Sequence, residues 1–305
     1  MDPNEGLLKP EHPTVEHLEP SLAEALERLR LEIRSLPAVV VAYSGGVDSA
    51  LVAAIAAEQL GDQALAVTGI SPALAPHLRE EAQLQAQWIG IEQRELPTAE
   101  LQDPAYSNNP ADRCYACKRE LHGVIAQLRQ DLSGPWQQAS VVDGVNQDDL
   151  GDYRPGIAAA RERGVRSPLA ELGITKVGVR AISRALGFPW WDKPAQPCLA
   201  SRFPYGESIS AERLRRVAAA ESWLRRQGLR ELRVRSQGES ARIELPTQQL
   251  GQLLEEPLRQ ALVEAFREFG FSAVSLDLEG LVSGKLNREL PSAAGPQSDR
   301  PCADG

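Results

Sequence analysis

No run in this 305-residue chain approaches the roughly 18 consecutive apolar residues that a membrane-spanning helix needs, so no contact with a bilayer core is expected. An excess of positive charge is missing too. The 33 Lys and Arg stand against 42 Asp and Glu, for a formal net charge of -9 and a pI near 5.2. Bulk composition therefore supplies no footprint for nucleic acid and no attraction to an anionic membrane. The first twenty residues carry five acidic side chains and several prolines without an apolar core, and do not read as a secretory signal. Four cysteines are too few for a disulfide framework at this length, which points to a reducing, cytoplasmic setting with free thiols.

What the chain does have is an apolar β-branched run, Val39-Val40-Val41-Ala42, that ends in a Ser/Gly-rich turn and is followed by the helix-length apolar run 50–57. Strand, loop and helix in that order form a phosphate site, because loop amides and the first turn of a helix offer unpaired N–H groups to an anion. Two familiar loop sequences are absent: no Gly-Lys-Ser/Thr closes the turn, and there is no Gly-x-Gly-x-x-Gly. The turn reads Ser44-Gly45-Gly46-Val47-Asp48-Ser49. The plain structural reading is a glycine turn capped by Asp48 and Ser49, both good helix-start residues.

Residues 21–35 have apolar Leu22, Leu26, Leu29 and Ile33 at helical spacing, and residues 64–70 predict a second buried strand with a helix from 76 to 89 behind it. Ser140-Val141-Val142-Asp143 continues the alternation, followed by helices near 156–163 and 175–187. Strands separated by helices imply a mainly parallel α/β sheet covered on both faces, with ligands beyond the carboxyl ends of the strands. Ser44, Ser71 and Gly144 each follow such a strand and should converge on one crevice. Pro189, Pro194, Pro197 and Pro204 mark a loop joining two domains. Beyond it a helix over 211–227, a hairpin of 232–235 with 241–245, a helix over 247–269 and a strand over 273–278 make a smaller α+β domain. The expected division is 1–19 disordered, 20–200 nucleotide-binding, 201–290 the smaller domain, and 291–305 a disordered tail.

The Ser-Gly-Gly-Val-Asp-Ser turn resembles the PP-loop of the ATP pyrophosphatase superfamily. Further matches are Asp112-Arg113-Cys114-Tyr115-Ala116-Cys117-Lys118, residues 142–149, Tyr153-Arg154-Pro155-Gly156, Ser167-Pro168-Leu169, residues 197–206 and Leu276-Asp277-Leu278-Glu279-Gly280. Together they resemble the LarE family of ATP-dependent sacrificial sulfur transferases, from the loop to about Asn287. The resemblance implies that Ser44, Gly45, Gly46, Val47, Asp48, Ser49, Ser71, Gly144 and Lys176 bind ATP, with magnesium at Asp48. It also implies that a carboxylate of a pyridinium mononucleotide is adenylated and sulfurated by Cys198, leaving dehydroalanine, in a homo-oligomer that makes a nickel-pincer cofactor.

The residues carry readings of their own. Cys198 lies in a Pro-rich loop four residues before Arg202, where nearby positive charge favours a thiolate; the bland reading is a small buried hydrophobe. Cys114 and Cys117 could be a redox pair, half of a zinc site, or residues that shape the pocket. No further cysteine stands beside Cys198 in the sequence, so no iron–sulfur cluster is expected. Arg233 and Arg235 share one face of a strand, roughly 7 Å apart, and with Arg202 are candidates for the substrate phosphate. Residues 201–235 hold nine Arg against four Glu, which suits an anionic nucleotide. Asp48 suits magnesium bound through phosphates, while the acidic loop 143–152 could supply a base or metal ligand or simply be solvated. Rival functions are a tRNA thiolase, an amide-forming synthetase and a nucleotide-sensing binding protein. Acidic charge counts against the first, and the second would not need Cys198.

Overall fold

The computed structural model describes residues 18–289 apart from 153 and 283. Of the segments 1–19 and 291–305 for which composition predicts disorder, 1–17 and 291–305 lie outside the described residues, as does Cys302, while Leu18 packs on the core and Glu19 O accepts from Leu22 N at 2.9 Å. The chain runs α1 (Pro20–Arg34), β1 (Val39–Ala42), α2 (Val47–Leu60), β2 (Ala64–Ile70), α3 (Pro76–Ile89) and β3 (Glu92–Pro97). It continues α4 (Pro104–Ser107), α5 (Arg113–Asp131), β4 (Ser140–Val142), α6 (Pro155–Glu162), α7 (Pro168–Glu171) and α8 (Lys176–Ala185). The remainder is α9 (Ala211–Arg226), β5 (Arg233–Gln237), β6 (Ser240–Glu244), α10 (Leu258–Glu268) and β7 (Ala273–Leu276).

The first sheet has the order β3-β2-β1-β4 and every pairing is parallel. β1 is central, and its four residues are all buried because helices cover both faces. Val39 and Val41 point into one apolar cluster with Leu29, Leu51 and Ile182, whereas Val40 points into another with Leu65, Ile125 and Val141. Each fully buried Val, Leu or Ile stabilises the fold by about 1.5–3 kcal/mol relative to exposure. The register Val39↔Ala64 and Val39↔Ser140 aligns the strands so that the loops after β1, β2 and β4 leave at one edge.

β3 is the strand that apolar patterning does not predict. It is an edge strand paired only to β2, and its Glu-Gln-Arg-Glu sequence is half-exposed, with Arg79 of α3 bonded to Glu95. The second sheet, β5-β6-β7, pairs β5 with β6 antiparallel and β6 with β7 parallel. Gly238, with φ +54°, turns the β5–β6 hairpin. The continuous helix predicted over 247–269 is interrupted. A 3-10 segment spans Thr247–Leu254 and α10 begins only at Leu258, because Pro257 has no N–H to continue a helix. The apolar cluster under this sheet joins Leu199, Phe203, Val217, Val234 and Phe266 to Ala73, Leu78, Tyr106 and Ala116 of the first half of the chain.

Candidate active site

The loop after β1 is shaped by glycine. Gly45 has φ +69°, and a Cβ there would lie 2.8 Å from the Ala82 Cβ of α3. Gly46 precedes α2, and no side chain caps that helix. Its first-turn N–H groups therefore remain available, and Asp48 and Ser49 do not act as caps. Ser49 instead folds back, its Oγ 3.1 Å from Ser44 Oγ and donating to Gly46 O at 3.1 Å, which fixes the curve of the loop. Gly144, after β4, packs so tightly on this turn that a Cβ would come within 2.5 Å of Ser49 N. Ser71, after β2, caps its own turn by accepting from Ala73 N at 3.2 Å. The three loops named from sequence thus meet at one sheet edge.

Asp48 projects from the first turn of α2. Its Oδ2 is ion-paired with Lys176 Nζ, and its Oδ1 accepts from Asn146 Nδ2 at 3.1 Å. Lys176 opens α8, whose start is capped by Asp148 on Lys176 N at 2.8 Å and by Thr175 Oγ1 on Gly178 N at 3.2 Å. Asn146 is buried, and its Oδ1 also accepts from Asp148 N at 3.0 Å, so it organises the acidic loop. It had no role in the sequence reading beyond its motif. Within that loop Asp143 is buried and takes hydrogen bonds from Ser167 Oγ at 2.8 Å and Val145 N at 3.1 Å. Burial raises its carboxyl above the usual range despite those bonds.

Cys198 is exposed at the start of a 3-10 turn, Leu199–Arg202. Leu199 N donates to Ala73 O at 2.8 Å, tying the turn to the loop after β2. Arg202 does not present a spare charge to the thiol: its Nε and Nη2 hold the two oxygens of buried Glu221 at 2.8 and 3.2 Å, and Nη1 donates to Pro197 O at 3.0 Å. Within electrostatic reach of Cys198 are the other two described thiols. Cys114 and Cys117 stand one turn apart at the start of α5. Packing around them, then the charge of Cys198, raises both, Cys117 to about 12, although Cys114 still reaches solvent. Separation in sequence hid this electrostatic link between Cys198 and the two thiols of α5. The i, i+3 spacing of the pair was the only available signal. Tyr106 is buried in the same neighbourhood with its hydroxyl unpartnered. Among the described residues no three His, Cys, Asp or Glu side chains are grouped to hold a single metal ion.

Arg235 is also committed. Its Nε and Nη2 bond Glu244 at 2.9 and 3.0 Å, and its Nη1 donates to Ser201 O at 2.7 Å. Arg233 donates to Val282 O at 3.2 Å and, among the described residues, makes no ion pair. Burial, followed by the nearby Arg235 and Arg202 charges, lowers its pKa. Arg202, Arg235, Arg242 and Lys285 line a cleft with Pro204 and Gln237.

A four-stranded parallel sheet with this glycine loop at its carboxyl edge defines a PP-loop, ATP-pyrophosphatase-type α/β protein. In keeping with that, an NAD synthase family profile matches residues 22–113. The pyridinium-3,5-bisthiocarboxylic acid mononucleotide synthase of Lactiplantibacillus plantarum is 34% identical over 274 residues, 90% of this chain and 97% of that protein. The chain belongs to that synthase's family, the LarE family. An uncharacterized protein of Synechocystis is 55% identical over 88% of this chain and 99% of its own length. One from Methanocaldococcus jannaschii is 28% identical over 79% of this chain and 89% of its own.

Proposed function

We propose that this protein is an ATP-dependent sulfur transferase that adenylates a carboxylate of pyridinium-3,5-biscarboxylic acid mononucleotide and replaces a carboxylate oxygen with sulfur delivered through Cys198. The observation that carries the reading is the Leu199 N to Ala73 O bond, which holds the cysteine beside the loop after β2, at the edge where the phosphate loop opens. ATP would lie with its phosphates on the amides of 45–49, and Lys176, released from Asp48, would turn to them. Asp48 is an oxygen ligand suited to magnesium, whose role there is to neutralise the leaving pyrophosphate. The carboxylate attacks the α-phosphorus and pyrophosphate departs, which converts a poor leaving group into AMP. The Cys198 thiolate adds to the acyl carbon and expels AMP, giving a thioester. A base then removes the Cys198 Cα proton as the Cβ–S bond breaks. The sulfur stays on the substrate as a thiocarboxylate, and position 198 becomes dehydroalanine.

The convergence of Cys114, Cys117 and Cys198 supports a second reading of where the sulfur originates. Cys114, Cys117 and Cys198 are the thiols that would hold an iron–sulfur cluster if they closed around one, since among the described residues they are not yet grouped as metal ligands, and the iron would favour the Cys114 and Cys117 thiolates. Such a cluster would supply sulfur without consuming Cys198. The test is a reaction with ATP, magnesium and the biscarboxylate mononucleotide, followed by pyrophosphate assay, intact-protein mass and iron content. Mononucleotide-dependent pyrophosphate release with a protein lighter by one hydrogen sulfide at position 198 supports the sacrificial route. Iron bound in proportion to protein, with Cys198 intact after many turnovers and an added sulfide supply, supports the cluster. Pyrophosphate release indifferent to the mononucleotide would defeat both.

A further inference from the structure

Lys193 stands five residues before Cys198 and has no part in the chemistry above. The chain behind it is anchored: Phe188 and Trp190 are buried and pack on Trp88 with ring centroids 5.4 and 5.1 Å away, and Lys193 N donates to Trp190 O at 3.0 Å. From this plug the side chain, 11% exposed, reaches over the phosphate loop, where its ammonium donates to Gly45 O at 3.0 Å and pairs with Glu81 of α3 at 2.6 Å. Residues 194–198 then run exposed until Leu199 is caught by Ala73. The cysteine-bearing segment is therefore tethered at one end to the loop after β1 and at the other to the loop after β2.

An ammonium has three N–H donors, and Gly45 O and Glu81 occupy two of them. The carbonyl that it grips belongs to the glycine whose left-handed backbone shapes the phosphate loop. We propose that Lys193 is a positioning residue that couples nucleotide occupancy of the loop to the placement of Cys198: its third N–H donates to a phosphate oxygen of bound ATP, and the tether then immobilises residues 194–198. The cysteine segment, already braced at Pro197 O by Arg202, is thereby held more tightly when the activating nucleotide is in place. This rests on the reading that ATP occupies the loop and that Cys198 delivers the sulfur.

The experiment is hydrogen exchange of the full-length protein with and without magnesium-ATP, comparing a peptide over 192–199 with one over the start of α2, residues 46–52. In the unaltered protein ATP slows both. In Lys193→Met the α2 peptide remains ATP-protected while the 192–199 peptide loses its response, and Lys193→Arg restores it. A purely structural lysine would instead raise exchange in 192–199 equally with and without ATP and leave the ATP response in place. That pattern, or a Lys193→Met protein responding as the unaltered one does, overturns the coupling. Absence of ATP protection at 46–52 in the unaltered protein overturns the nucleotide reading itself and the coupling with it.

Discussion

The edge of the parallel sheet and the arginine cluster of the second sheet both look like anion sites in sequence, yet they are built in opposite ways. At the sheet edge the donors are backbone amides held open by Gly45, Gly46 and Gly144, with no side chain capping α2. In the second region the donors are guanidiniums, and two of the three proposed ones are already consumed by buried carboxylates, Arg202 by Glu221 and Arg235 by Glu244. The difference teaches that local charge excess does not measure what is available to a ligand. The paired arginines act on the chain itself: Arg235 holds Ser201 O and Arg202 holds Pro197 O, so together they brace the segment that carries Cys198. Arg233 is the member of the three that, among the described residues, makes no ion pair.

The largest expected effect tests whether those pairs are a brace. Removing the Glu221 carboxylate leaves the Arg202 guanidinium buried and uncompensated, so Glu221→Ala should destabilise the protein by about 3–5 kcal/mol in denaturant titrations. Burial alone would raise the Glu221 carboxyl; the Arg202 charge and hydrogen bond, with Arg225 and Val234 N–H, overcome it and hold the pKa below the ordinary glutamate value of 4.5. A group with a depressed folded pKa contributes stability above its unfolded pKa and loses it as pH falls through the folded one. Stability should therefore be maintained above about pH 4.5 and erode below it, and the erosion should be smaller in Glu221→Gln.

Next in size is the contrast between neighbours on β5. Arg233→Ala should weaken the phosphate-bearing substrate by about 1.5–3 kcal/mol in calorimetry while leaving the unfolding midpoint nearly unchanged. Arg235→Ala should lower the midpoint, since it strands Glu244. Equal behaviour of the two would erase the distinction between a free arginine and a bracing one. The sheet edge is tested by Gly144→Ala, whose Cβ must push on Ser49 N. It should cost about 1–3 kcal/mol of stability through overpacking and reduce ATP affinity without altering the arginine cluster.

The outline of the fold was legible because apolar runs and glycine turns report burial directly. Val39-Val40-Val41-Ala42 reads as a buried strand and proves to be the central one. β3 was not legible, since an edge strand is under no demand to be apolar. The paired state of Asp48 and Lys176 was equally hidden. Sequence named both as phosphate or metal ligands, but their ion pair requires α2 and α8 to meet at the same end of the sheet.

By itself the sequence determined the glycine-loop end of this protein, because the physics of an amide-lined turn is local: a strand, two glycines and a helix start within a dozen residues contain everything needed to form it. It also singled out Cys198 as the unusual cysteine of a Pro-rich loop. Only the tertiary structure decided what surrounds that cysteine. The Cys114 and Cys117 thiols arrive on α5, the Ala73 carbonyl from the loop after β2, the Lys193 tether reaches Gly45, and the carboxylates of Glu221 and Glu244 neutralise arginines that looked free. Those partners are distant along the chain, and burial, charge pairing and thiol acidity depend on distance in space, which no local spacing encodes.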